Sequence, residues 1–99
     1  MYRALVMFPT SAGPEVVDAL VQGIASSLTT SAGFQTITRS TGALMGPGAK
    51  GGEVGAILEA DFASLDDVMA ALRAEGFQDV KAATESVGTT IFLFESTTV

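Results

Sequence analysis

One stretch of the sequence decides the fold: Ala56-Ile57-Leu58-Glu59-Ala60-Asp61-Phe62-Ala63-Ser64-Leu65-Asp66-Asp67. Its first half belongs to a run of strand-forming residues that predicts a strand over Val54–Ala60. Its second half places a carboxylate three residues after a serine, which is the capping box of a helix start. Apolar residues then recur at helical spacing up to Leu72, and Gly76 is predicted to end the helix, with Phe77 folded back on Leu72. The centre of the prediction is therefore a strand that leads directly into a short helix.

Two further elements precede this stretch. Tyr2–Phe8 is rich in apolar and β-forming residues, is closed by Pro9, and is predicted to be a central strand. A helix is predicted from Pro14 to Ser31, because proline favours the first helical position and apolar residues follow at helical spacing. Gly23 in the middle of this helix is either simply tolerated or marks the close approach of another backbone.

The remaining elements are predicted from shorter patterns. Phe34–Ser40 alternates and is predicted to be a strand, and a loop is predicted over Gly42–Gly52. Asp79–Ser86 is predicted to be extended, and Val87-Gly88 after it is either a bulge or a turn. Thr89–Glu95 contains four consecutive apolar residues, which predicts a strand buried on both faces.

Together these elements give the order β-α-β-β-α-β in one α+β domain that spans residues 1–99. We expect a ferredoxin-like arrangement, in which an antiparallel sheet has two helices on one face. The other face must then be covered, because the first and last strands are apolar on both sides. The chain is 47% hydrophobic and only 16% charged. A monomer therefore has too few charged side chains to cover the second face of the sheet. The simplest cover is a second copy, and the sequence therefore predicts a homodimer.

The net charge and the absence of histidine and cysteine exclude several classes of function. The net charge is −6 and the five basic residues are scattered, which argues against nucleic acid and against an anionic membrane surface as partners. The chain has no cysteine and no histidine, so the usual thiolate nucleophile, general base and transition-metal ligands are missing. We therefore predict no catalytic residue, no metal and no cofactor. The absence of cysteine also fits a cytoplasmic location.

Three stretches, Tyr2–Phe8, Gly33–Arg39 and Ala56–Asp67, carry a pattern that resembles the dimeric α+β barrel superfamily. That superfamily includes EthD-like proteins, small antibiotic-biosynthesis mono-oxygenases and stress-responsive barrel proteins. The resemblance covers Met1–Glu95 and implies a dimer of ferredoxin-like subunits. EthD-like members carry a histidine-containing segment in the first helix, but Ala19–Leu28 has no histidine here, so histidine-dependent activity is not implied. A weaker resemblance to regulatory ACT domains rests on the same element order.

Three residues are candidate ligand contacts. Arg39 shares a strand face with Ile37, and its guanidinium either orients a carboxylate or enolate ligand or lies in solvent or in a subunit salt bridge. Glu59 shares a face with Ile57, and it either acts as a base inside a cavity or is solvated or paired. The hydroxyl of Tyr2, the only tyrosine, either hydrogen-bonds a ligand or lies at the rim of the strand.

The loop over Gly42–Gly52 contains Lys50 among glycines and invites comparison with a phosphate-binding loop. A Walker loop needs a serine or threonine after the lysine and a helix behind it, whereas glycine and then a strand follow here. The pattern favours a hairpin loop, with a mobile lid over a pocket as the alternative.

Three functions stay open on this evidence. The first is a dimer that binds a small, largely apolar ligand between helices and sheet, in a non-catalytic or accessory role. The second is a cofactor-free enzyme of mono-oxygenase or EthD-like type, acting on aromatic or polyketide-like substrates. The third is a purely structural interaction module, which a side-chain-filled space between helices and sheet would favour.

Overall fold

A computed structural model describes residues 1–41 and 54–99 of the chain. In these ranges the chain forms four strands and three helices, in the order β1 Tyr2–Pro9, α1 Pro14–Leu28, β2 Phe34–Thr41, β3 Val54–Phe62, α2 Leu65–Arg73, α3 Glu75–Ser86 and β4 Thr90–Glu95. A single 3-10 turn over Thr10–Ala12 links β1 to α1. The predicted loop Gly42–Gly52 lies outside the described residues, and so do the interpretations attached to Lys50.

The four strands form one sheet in the order β2-β3-β1-β4, and every neighbouring pair is antiparallel. β1 is therefore a central strand, as predicted. The connection from β1 to β2 runs through α1 and the connection from β3 to β4 runs through α2 and α3, and the helices cover one face of the sheet. The predicted ferredoxin-like α+β architecture is confirmed, with two helices instead of one in the second connection.

The core lies between the sheet and the helices. Alternate residues of β1 and β3 point towards the helices and are almost completely buried, while their neighbours in sequence are less so. The apolar stripe of α1 and one side each of α2 and α3 pack onto them. The largest apolar side chains with less than 2% exposure are Phe8, Phe62, Ile24, Leu28, Val6 and Val68.

The start of α2 is formed as the sequence predicts. Ser64 is the N-cap with extended backbone, and its Oγ accepts a hydrogen bond of 3.1 Å from the backbone N–H of Asp67. Asp66 and Asp67 add negative charge to the first turn, where the helix dipole favours it. The Asp67 carboxylate lies against Gly33, which has a φ of +76° and no room for a Cβ, since one would come within 2.0 Å of Asp67 Oδ2.

The end of α2 and the segment after it differ from the prediction. α2 ends at Arg73, and Ala74, which is extended, caps both α2 and the following helix α3. Gly76 therefore lies in the first turn of α3 and does not terminate a helix, and the prediction that Asp79–Ser86 is extended is wrong. The physical reason is that Phe77 and the residues three and seven positions after it fall on one side of a helix, where Phe77 is buried in the core.

Glycine lets α1 and α3 approach each other closely. A Cβ added to Gly23 of α1 would lie 2.8 Å from Val80 Cγ1, and one added to Gly76 would lie 3.1 Å from Ser27 Oγ. Gly23 is therefore in close contact with a neighbouring element, but the nearest atoms belong to the Val80 side chain and not to another backbone, so the interpretation that Gly23 marks the approach of a backbone is not confirmed. The neighbouring element is α3, the helix that the sequence analysis missed.

Two smaller differences concern segment ends. α1 ends at Leu28 and not at the predicted Ser31; the side chains of Thr29, Thr30 and Ser31 donate hydrogen bonds back to carbonyls of its last turn. Gly88, with a φ of +84°, lies in a turn between α3 and β4, which decides between the predicted bulge and turn. In the described part of the chain, no helix is long and apolar enough to cross a membrane.

Candidate functional site

The sheet face opposite the helices, called the open face below, is not covered by any of the helices described for residues 1–41 and 54–99. Its side chains form three rows that cross the strands from β2 to β4 in register. The rows are Thr36, Asp61, Arg3 and Phe94; Thr38, Glu59, Leu5 and Phe92; and Ser40, Ile57, Met7 and Thr90. Polar groups thus gather towards β2 and β3, and apolar groups gather towards β1 and β4.

The apolar half of the open face, towards β1 and β4, exposes large hydrophobic side chains to water. Phe92 and Phe94 are 42% and 48% exposed, and their ring centroids are 6.0 Å apart. On the other side of β4, Ile91 packs against the core, whereas Leu93 is 42% exposed. The prediction that this strand is buried on both faces is wrong for the single chain, because β4 is an edge strand with no covering layer on the open face.

The polar half is organised by one arginine. The Nε of Arg3 donates to Asp61 Oδ1 at 2.8 Å and its Nη2 donates to Asp61 Oδ2 at 3.2 Å. The Nη1 of the same guanidinium lies 2.9 Å from Glu59 Oε2. Thr36 completes the cluster, since its hydroxyl donates to Asp61 Oδ2 at 3.1 Å. The planar guanidinium, with five N–H donors, suits this bridging of two carboxylates.

The electrostatics of this cluster keep it charged. The hydrogen bond from Arg3 lowers the pKa of the Asp61 carboxyl, and this outweighs the opposing effect of burial; the hydrogen bond from Thr36 adds to the lowering. The hydrogen bond and charge of Asp61 in turn raise the pKa of the Arg3 guanidinium. Arg3 and Asp61 thus hold each other in their charged forms.

The structure separates the three candidate residues named from sequence. Arg39 faces the helices, and its Nη2 lies 2.5 Å from Asp18 Oδ1 of α1, so it is paired within its own subunit. Glu59 lies on the opposite face of the sheet, where it is paired with Arg3. Tyr2 starts β1 and packs against the core. No single site contains all three, and contact of each with a ligand stays a prediction.

The space between the helices and the central strands is filled by core side chains, but depressions exist at its margins. One of about 540 Å³ lies among α1, α2 and α3 and is lined mainly by glycine, alanine, serine and threonine. Another of about 360 Å³ lies between α3 and β4, where the helix layer meets the edge of the sheet. Arg39, Glu59 and Tyr2 line neither depression.

Sequence reasoning missed Arg3 and Asp61. Their signal was the opposite charge at matching ends of two strands that pair antiparallel, with Arg3 directly across from Asp61. As for metals, no group of three or more histidine, cysteine, aspartate or glutamate side chains within residues 1–41 and 54–99 is placed to hold an ion.

No protein-family model matches the sequence, and no curated protein matches it either. Several solved structures do match. SnoaB, a cofactor-independent oxygenase from Streptomyces nogalater, is 16% identical with a TM-score of 0.73, over 99% of this chain and 94% of SnoaB. An ethyl tert-butyl ether D (EthD) family protein from Bacillus halodurans is 14% identical with a TM-score of 0.68, over 98% and 99% of the two chains. A dimeric ferredoxin-like protein of unknown function from Thermobifida fusca is 13% identical with a TM-score of 0.69, over 94% and 88%.

These similarities concern the fold, because the sequence identities are low. The structural neighbours include a cofactor-independent oxygenase, an EthD family protein and a protein described as dimeric and ferredoxin-like. The fold that the sequence resemblance implies is confirmed, and the dimer stays a prediction.

Proposed function

We propose that the chain works as a homodimer in which two sheets pack open face to open face, and that the dimer binds a small, largely apolar ligand in a non-catalytic or accessory role. The observation that carries the dimer is the apolar half of the open face. Phe92 and Phe94 remain nearly half exposed, and Leu5, Met7 and Ile57 lie beside them. A face of this composition on so small a domain is typical of an interface.

Ligand binding is supported by what the chain has and by what it lacks. The depression between α3 and β4 lies between helices and sheet, and its volume of about 360 Å³ is within the range of small-molecule pockets. The chain has no histidine or cysteine, and the hydrogen bond from Arg3 lowers the pKa of the Asp61 carboxyl. These features favour binding over catalysis.

A cytoplasmic location is also part of this proposal, and it rests on the absence of cysteine alone.

The runner-up function is a cofactor-free enzyme on aromatic or polyketide-like substrates. It is favoured by the similarity of the fold to SnoaB, which is described as a cofactor-independent oxygenase. Oxygen uptake by the purified protein with a polyhydroxylated aromatic substrate would establish this alternative.

The third candidate function, a structural module, is favoured by the filled space between the central strands and the helices.

Native mass spectrometry of freshly purified protein separates these functions. The proposal expects a species of twice the 10.1 kDa chain mass, with an additional mass of a small organic molecule that is lost on denaturation. A dimer that never carries added mass, even after incubation with mixed aromatic compounds, would favour the structural module. A monomer under all conditions would contradict the dimer and leave the open face unexplained.

A further inference from the structure

The turn between α3 and β4 places the side chains of Thr89 and Ile91 on the side of the sheet that faces α3. α3 ends at Ser86 with Val87 as its C-cap, and Gly88 then reverses the chain in a left-handed conformation that only glycine adopts freely. Thr89 follows, and two residues later Ile91 points towards the helix layer, since it pairs with the core residue Val6. Side chains alternate along a strand, so Thr89 and Ile91 lie on the same side of it, facing α3.

These two residues form the inner wall of the depression between α3 and β4. Together with Ile91, the apolar residues Leu72 and Phe77 line the inside of the depression, and Phe77 is only 2% exposed. Its rim is polar and consists of Gln78, Lys81 and Glu85. An apolar floor with few polar groups is the usual composition of a small-molecule site.

Thr89 is the one polar group of this wall that the described residues leave without a partner. Its Oγ1 is buried and makes no hydrogen bond. Thr84, a buried threonine of the neighbouring helix, shows the ordinary situation: its hydroxyl donates to the carbonyl of Val80 at 2.8 Å. Buried hydroxyl groups are nearly always paired, because leaving one unpaired costs free energy. An unpaired hydroxyl in the wall of a depression points to a hydrogen-bonding group from outside the described residues as its partner.

The rim groups are already engaged with each other. The Nε2 of Gln78 donates to the carbonyl of Leu72 at 2.6 Å, and Lys81 Nζ lies 3.7 Å from Glu85 Oε1. Because the two charges at the mouth compensate each other, the site presents no net charge to a ligand. Its chemistry matches a neutral molecule with an apolar body and one hydrogen-bonding group.

We infer that the depression between α3 and β4 is the ligand site, and that it takes a small neutral ring compound whose hydroxyl or carbonyl group pairs with Thr89. This inference rests on the proposed function, which assigns the protein a small apolar ligand but no location for it. The ring lies on Phe77 and Ile91, and the oxygen of the compound reaches Thr89 Oγ1.

The test compares two probes that differ by one hydroxyl, 1-naphthol and naphthalene, on the wild-type protein and on Thr89→Val. The chain has no tryptophan, so probe fluorescence can be followed with little protein background. Wild-type protein is expected to bind 1-naphthol about threefold to tenfold more tightly than naphthalene, the range that one net hydrogen bond supplies. Thr89→Val should abolish this preference and leave naphthalene binding unchanged. Thr84→Val, which alters a threonine outside the depression, is the matched control and should keep the preference.

Folding is monitored on the same variants. Since the Thr89 hydroxyl is unpaired, Thr89→Val should unfold at the same temperature as wild type or higher, whereas Thr84→Val should unfold at a lower one. Two outcomes overturn the inference in different ways. Binding of both probes that is insensitive to Thr89→Val would place the ligand elsewhere and leave the proposed function standing. Failure of both probes to bind the folded wild-type dimer would overturn the site together with small-ring-compound binding.

Discussion

Replacing Phe92 with alanine should weaken the dimer by roughly a thousandfold. Phe92 is 42% exposed in the single chain, which for a side chain of about 200 Å² corresponds to about 85 Å² of apolar surface. At about 25 cal/mol per Å², covering that surface stabilises the dimer by about 2 kcal/mol per copy. A two-fold symmetric interface contains the residue twice, so the loss is about 4 kcal/mol, or close to three orders of magnitude in the dissociation constant.

The neighbouring residue provides the control for this prediction. Leu93 is also 42% exposed and lies next to Phe92 on β4, but it points to the helix side of the sheet. Leu93→Ala should therefore leave the dissociation constant near the wild-type value. Sedimentation velocity over a dilution series measures both variants, and circular dichroism checks that each is folded. Equal weakening by the two substitutions, or weakening by Leu93→Ala alone, would refute the assignment of the open face as the interface.

Three further outcomes test the fold and the charge cluster. Ser64→Ala should lower the free energy of unfolding in urea by about 0.5–2 kcal/mol, because it removes the N-cap bond of α2; an unchanged value would contradict the cap. Gly23→Ala should destabilise the protein although alanine is the better helix former, and less so in a Val80→Ala background that removes the 2.8 Å clash. Additive effects of the two substitutions would refute the tight contact of α1 with α3. Asp61→Asn should have a lower free energy of unfolding than wild type at neutral pH, and this difference should shrink as the pH falls below the usual aspartate pKa. The reason is that the pKa of Asp61 is lowered in the folded state. The stability that its carboxylate contributes is therefore complete above the pKa of the unfolded state and is lost as the pH falls through the pKa of the folded state. A difference that does not depend on pH, in acid denaturation curves, would argue against this ion pair.

Most of the fold could be predicted because the strongest local signals agree with tertiary packing. Proline at the start of α1 and serine at the start of α2 mark helix ends by their own chemistry. The strands follow from their apolar runs and β-forming residues. The exception is α3, whose first turn contains Gly76. That glycine serves the close approach of α1 and α3, with Ser27 Oγ 3.1 Å from where a Cβ would stand, and a packing glycine looks the same in sequence as a helix-ending one.

The site could be predicted less well, because it depends on pairing between distant strands. Arg39 and Glu59 were each assigned to a strand face correctly, but their partners Asp18 and Arg3 lie on other elements. The register that brings Arg3 across from Asp61 is set by the whole sheet. Thr89 likewise lines a depression whose other residues belong largely to α3, and α3 is the element that the sequence analysis missed.

The most direct test of the central claim, that this chain is a homodimer closed through its open sheet faces, is sedimentation equilibrium at micromolar concentration. The account expects a mass of twice 10.1 kDa for the wild-type protein, with Phe92→Ala shifted towards the monomer at the same concentrations. A wild-type mass of one chain, independent of concentration, would contradict the dimer and with it the dimeric barrel assembly.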